Sequence, residues 1–246
     1  YEYLTAVRQF YDWRLLSDEY NYENPARQID TDWIDRDTQN PKPTLEPNEV
    51  RALVQSAQTD RATALLSLLA TTGMRIREAT LIETDQIDFD ERKIEELTTV
   101  KNDFGERTVY FSRKTRRHLK QYINGTRGKF ASGEDSPYLF VSADYGQHGD
   151  NNKLSVDRAR VDFVNAVKNC DEIQDKVTYK ETADGKTRCS VGSHIMRRSY
   201  AQHWVDSDGS LIDLRNQVGW ESLDTALDYL DDEVEKEMAD RYGLDL

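Results

Sequence analysis

Apolar positions in the first sixteen residues recur at helical spacing. Leu4, Val7, Phe10, Tyr11 and Leu15 fall on one face and predict a helix over 3–16. Asn24-Pro25 ends that unit. Residues 26–43 are polar, rich in Asp and closed by two prolines, which is linker composition. A second unit is expected from Thr44, a candidate cap for a helix through Val50, Leu53 and Val54. The apolar run Ala62 to Ala70 predicts a buried helix stopped by Gly73, and a short helix is expected over 76–82. The period then changes. Gln86 to Phe89, Lys93 to Val100 and Arg107 to Phe111 read as short strands, with Asn102-Asp103-Phe104-Gly105 as a hairpin turn between the last two. Helical patterns resume over 112–123, 154–168, 194–205, 210–218, 223–230 and 232–242. Residues 171–192 form a polar insertion, read as a hairpin around Asp184-Gly185. The fold class is mainly α with a small antiparallel β-sheet (α+β). No repeat or low-complexity tract is evident.

Composition narrows the function. The 246 residues hold no apolar run long enough for a membrane span and open on no signal segment, so a cytoplasmic protein with no membrane partner is expected. The chain begins in mid-pattern without Met, which reads as a piece of a longer protein. Net charge is −13, but the charge is uneven. Residues 101–130 carry nine Lys/Arg against Asp103 and Glu106, whereas 228–246 carry eight acids against Lys236 and Arg241. Asp is abundant and Arg outnumbers Lys 21 to 12, a composition that suits concentrated salt and predicts a halophilic source. Screening lengths of about 3 Å at 1 M salt would leave close contacts to supply more of any binding between the basic stretch and an anionic partner. Cys170 and Cys189 flank the polar insertion. Two ordinary thiols in a reducing cytosol is the simpler reading; a local bridge or a shared metal is the other.

Several positions carry candidate chemistry. Arg75 follows a helix-stopping Thr-Gly, and Arg197 lies near a helix start; both sites suit a planar, permanently charged group held over an anion. Taken singly, either is an ordinary surface ion pair. Adjacent helical residues point about 100° apart, so Arg77 and Arg198 face away where Arg75 and Arg197 face a site. Glu78 lies three residues after Arg75 and either orients Arg75 or an imidazole, or forms a plain helix ion pair. His194 shares a face with Arg197 and can exchange a proton near neutral pH. Lys101 stands at the hairpin turn. Trp220 follows Gly219 and offers one indole donor, or else is a core aromatic. Tyr229 is one of thirteen tyrosines and is a candidate nucleophile. Arg107, Arg113, Lys114, Arg116, Arg117 and Lys120 are the candidate DNA-binding residues of the basic stretch. No His/Cys spacing suggests a metal.

The ordered set Thr72-Gly73-Met74-Arg75-Ile76-Arg77-Glu78, Lys101, His194-Ile195-Met196-Arg197, Gly219-Trp220 and Tyr229 resembles the catalytic domain of tyrosine recombinases, the phage-integrase family. The intervals are 26, 93, 3, 23 and 9 residues, the second lengthened by the insertion. The resemblance implies that 1–25 is the tail of an N-terminal helical DNA-clamping domain, 26–43 a linker and 44–246 the catalytic domain. It implies a site-specific recombinase of double-stranded DNA working through a 3′-phosphotyrosyl link without cofactor or metal. Arg75 and Arg197 would clamp the phosphate, Lys101 protonate the leaving oxygen, His194 assist proton transfer, Trp220 donate to the phosphate and Tyr229 attack. A homotetramer on synapsed DNA, docked through 232–242, is expected, in a halophilic archaeon or its virus or plasmid. Other readings are a non-catalytic DNA-binding regulator on this fold, a type IB topoisomerase and a metal-dependent nuclease.

Overall fold

The computed structural model describes residues 7, 10, 11, 24–27, 43–98, 105–129, 136–142, 152–181 and 187–221. The chain divides into two compact units, Tyr1–Lys42 and Pro43–Leu246. In the first, a short 3-10 turn spans Pro25–Arg27, seeded by the Asn24 side chain accepting from the Ala26 amide at 2.9 Å.

The second unit is mainly helical with a small antiparallel sheet. Helix α1 spans Pro47–Gln55. Thr44 does not cap it; Glu46 does, through a capping box in which Glu49 accepts from the Glu46 amide, and Pro47 follows at the first helical position. Helix α2, Asp60–Thr72, is the buried centre. Ala64, Leu65, Leu66 and Leu68 are fully buried, and α1 and the later helices Arg113–Asn124, Val156–Lys168 and His194–Asp206 pack around it. Thr59 caps its start, and Gly73 ends it with φ 63°, a left-handed residue that frees the chain to turn at once into α3, Ile76–Ala79.

Strands β1 (Ile87–Asp88), β2 (Lys93–Thr98) and β3 (Glu106–Tyr110) form the sheet in chain order, all antiparallel. Ile94 pairs with Val109 and Leu97 with Arg107, with a bulge between them. Side chains alternate across β3, so Arg107 and Val109 point inward while Glu106, Thr108 and Tyr110 are exposed. Ser112 caps α4, Arg113–Asn124, which seats Thr115, Leu119 and Tyr122 against α2. A hydroxyl network of Ser67, Thr71, Thr115 and Ser112 closes the α2–α4 seam. Helix α5 is Val156–Lys168; its Asp162 forms a buried ion pair with Arg61 of α2 at 3.0 Å.

The polar insertion contains an antiparallel strand pair, β4 (Tyr179–Glu181) with β5 (Thr187–Cys189), and the turn expected at Asp184-Gly185 lies outside the described residues. Its first part is less of an insertion than its composition suggests. Ile173 and Val177 are buried in the main core, and Lys176 binds Glu49 of α1 at 2.7 Å. Cys170 and Cys189 are free thiols. Helices α6 (His194–Asp206) and α7 (Leu211–Val218) enclose a smaller cluster of Ala201, Val205, Leu214, Val218 and Trp220. The hairpin turn over 102–104 and the helices expected over 223–230 and 232–242 lie outside the described residues. Among those described, no helix is long and apolar enough to cross a membrane.

Candidate active site

Four segments remote in sequence meet where α2 ends. Gly73 places Arg75 at the N-cap of α3, and the α3 turn brings Glu78 back beneath it. Glu78 accepts from Arg75 Nη1 at 3.0 Å and from the Arg75 backbone amide at 2.9 Å. Glu78 thus forms an ion pair with Arg75 one turn away and also holds its backbone amide. Glu78 is fully buried, while the Arg75 side chain keeps 14% of its surface exposed. Arg77 points to solvent.

Arg197 comes from α6, one turn after His194. Its Nη1 donates to the carbonyl oxygens of Gly73 and Val218, both at 2.8 Å. One guanidinium thus joins the turn before Arg75 to the end of α7. Its Cζ stands 5.3 Å from the centre of the Trp220 ring. Trp220 is fully buried in the α6–α7 cluster, directly after the left-handed Gly219 that ends α7. His194 is exposed at the first position of α6. Arg75, His194, Arg197 and Trp220 therefore lie on two adjoining turns and a helix end tied together by hydrogen bonds. Lys101 and Tyr229 lie outside the described residues.

Arg107 is not part of an exposed basic surface. It is 7% exposed, and its Nη2 donates to Glu78 Oε2 at 2.8 Å, while Nε donates to the Gln217 carbonyl at 3.2 Å. The cause is strand alternation: Arg107 shares the inward face with Val109, and Glu78 compensates its charge. That alternation, Arg107, Val109, Phe111, was visible in the sequence and is the signal that separates Arg107 from its basic neighbours. Burial alone would push the Glu78 carboxyl up. The charge of Arg107, the Arg75 amide, the Arg107 hydrogen bond and the field of Arg197 together hold it below the ordinary carboxylate value.

The remaining basic residues gather elsewhere. Arg113, Arg116, Arg117 and Lys120 stand at positions i, i+3, i+4 and i+7 of α4. With Arg92 and Asp90 of the β1–β2 turn they line an open cleft of about 820 Å³. Lys114 is exposed beside them. Tyr110 lies roughly 10 Å from Arg107 along β3, so this stripe sits toward the opposite end of the sheet. Arg127 is buried too, donating to the carbonyls of Ser136, Tyr138 and Leu139. Among the described residues of the basic stretch, Arg107 and Arg127 are thus buried, while Arg113, Lys114, Arg116, Arg117 and Lys120 form a separate surface stripe. Among the described residues no group of three or more His, Cys, Asp or Glu is placed to hold a metal ion.

Residues 43–236 match the phage integrase family, and the chain belongs to that family. It is 27% identical over 234 residues to the tyrosine recombinase XerC of Vibrio parahaemolyticus, an alignment covering 92% of this chain and 64% of that protein. The XerC of Chromobacterium violaceum is 24% identical over 241 residues, covering 92% and 68%. The chain thus spans about two thirds of the length of these relatives. The fold resembles that of the XerA recombinase, with a TM-score of 0.59, 22% identity and coverage of 83% of this chain and 65% of that one. It also resembles the integrase of transposon Tn1549 in complex with a circular intermediate DNA, with a TM-score of 0.66, 16% identity and coverage of 96% and 78%.

Proposed function

We propose that this chain is a site-specific DNA recombinase that cuts and rejoins strands through tyrosine. The observation that carries the reading is the meeting of Arg75 and Arg197 at one site, bridged by Gly73 and supported by Glu78. Two guanidiniums held rigidly on one locus suit the charge that builds on a phosphodiester in transit. In the proposed reaction the Tyr229 phenol loses its proton and attacks phosphorus. The bond to the 5′-oxygen breaks, Lys101 protonates that oxygen, and the 3′-phosphate remains on tyrosine. A 5′-hydroxyl of the partner strand then attacks the phosphotyrosine, and the phenol leaves as it regains a proton. His194 assists these transfers and Trp220 donates to the phosphate. No nucleotide is consumed, because the energy of the ester bond is conserved in the phosphotyrosine.

The partner is double-stranded DNA. The α4 stripe of Arg113, Arg116, Arg117 and Lys120, with Lys114 beside it, supplies backbone contacts outside the reaction centre. Residues 1–25 belong to an upstream DNA-clamping domain joined through 26–43, and the acidic segment 232–242 docks on a neighbouring copy in a synaptic tetramer. The Asp-rich, Lys-poor composition fits a halophilic archaeon or its virus or plasmid, and an enzyme working on DNA in the cytoplasm or nucleoid. The test is to trap and sequence DNA covalently bound to the protein in cells, then offer a nicked duplex of that sequence in EDTA. Covalent adduct is expected from the wild type. Arg75→Ala and Arg197→Ala should each slow its formation at least about 100-fold. Adduct that requires a divalent metal, or near-normal rates in either variant, would count against the reading.

A further inference from the structure

Arg107 has a bonding pattern that a cation serving only the fold would not need. Its guanidinium reaches two of the segments that carry site residues. Nη2 meets Glu78, the carboxylate that also holds Arg75 by side chain and backbone. Nε meets the carbonyl of Gln217, three residues before Trp220. The Gln217 side chain in turn donates to the Tyr110 carbonyl at 2.9 Å and accepts from the Tyr110 amide at 3.2 Å, fastening α7 to β3. Gly219, φ 72°, lies directly over Arg107. A Cβ there would come within 2.8 Å of Arg107 Cζ and Nη1, so the absence of a side chain is what admits the guanidinium.

We propose that Arg107 is a positioning residue for strand cleavage, fixing Arg75 through Glu78 and fixing the Gly219-Trp220 turn through Gln217. The inference rests on the recombinase reading above. Charge explains why two arginines share one carboxylate. With Glu78 facing Arg75 alone, the pair would be neutral. With Arg107 as second partner, the cluster carries a net positive charge, and Arg75, the more exposed of the two, keeps attraction for a phosphate. The charged groups facing Glu78 are Arg75 from its own turn, Arg107 from β3 and Arg197 from α6. Removing Arg107 therefore leaves a buried carboxylate that takes up a proton more readily. A protonated Glu78 still accepts a hydrogen bond from Arg75 but no longer forms an ion pair with it.

The experiment compares wild type, Arg107→Lys and Arg107→Gln on the nicked duplex recovered from covalent complexes. DNA affinity, single-turnover cleavage from pH 5 to 9 and the unfolding midpoint are measured for each. Affinity is expected to stay within about threefold, because Arg107 is buried. Cleavage by the Gln variant should fall about 100-fold, the scale of an ångström misplacement. The acidic limb of its pH profile should move to higher pH. The Lys variant should recover about tenfold and return the limb toward the wild-type position. Wild-type cleavage by the Gln variant would overturn the proposal. So would parallel loss of stability and cleavage with an unmoved pH limb and no rescue by Lys, which marks a role in folding alone. Failure of the wild type itself to form adduct would instead refute the recombinase reading.

Discussion

Gly73→Ala tests how closely the site is coupled to the packing behind it. Gly73 has φ 63°, and its carbonyl receives Arg197. A left-handed backbone costs a Cβ-bearing residue about 1–2 kcal/mol, partly offset by about 0.4–1 kcal/mol from the stiffer unfolded chain. The new Cβ would also lie 2.6 Å from Tyr200 Cδ1 and 2.8 Å from Val218 Cγ1. Both side chains belong to the α6–α7 pair and must give way, at about 1–3 kcal/mol for an overpacked methyl. The sum is about 2–4 kcal/mol. Gly105→Ala is the control: φ is 79°, but nothing lies within 4 Å of its Cβ, so only the backbone part, net about 1 kcal/mol, applies. In urea melts Gly73→Ala should therefore lose about 1–3 kcal/mol more than Gly105→Ala. At about 2–4 °C per kcal/mol, that excess lowers the melting temperature by roughly 2–12 °C. Equal losses in the two variants would show that α6 and α7 do not press on the Gly73 turn, and the argued coupling of Arg197 to that turn would fail.

Other outcomes follow from the same geometry. Asp162→Ala leaves Arg61 buried and without its carboxylate, and should cost about 3–5 kcal/mol of stability; a loss below 1 kcal/mol would show that the pair is open to water. Burial pushes the Cys170 thiol up to about 11, so at pH 8 native protein should alkylate with iodoacetamide at Cys189 well before Cys170; equal rates would contradict the buried placement. Glu78 has a folded pKa below its unfolded value of about 4.3. Its stabilising contribution is thus complete above that value and lost as pH falls through the folded one. Wild type should lose stability from pH 5 to 3 more steeply than Glu78→Gln, and parallel curves would refute the linkage.

Much of this was legible before the fold. Residues with a single local consequence read directly: Gly73 stopping α2, Ser112 and Ser210 at helix starts, and the period of two in β3. The site boxes were legible because Arg75 with Glu78, and His194 with Arg197, are each spaced by one helical turn. Their pairing was implied by the family resemblance alone, since it depends on Arg197 reaching two carbonyl oxygens that carry no side-chain signature. Charge misled where burial mattered. Arg107 and Arg127 look like surface cations in composition, and only strand alternation and carbonyl partners reveal them as internal. Thr44 was a plausible cap, but a capping box with Pro47 behind it competes better for the same helix end. The insertion over 171–192 is polar on average, and averaging hid Ile173 and Val177, which anchor it.

The most direct test is to digest the covalent protein–DNA adduct and identify by mass spectrometry which residue bears the nucleotide. The account requires a 3′-phosphate ester on the phenol of Tyr229, absent from Tyr229→Phe. Attachment at any other side chain, or an adduct that survives in the Phe variant, would contradict it.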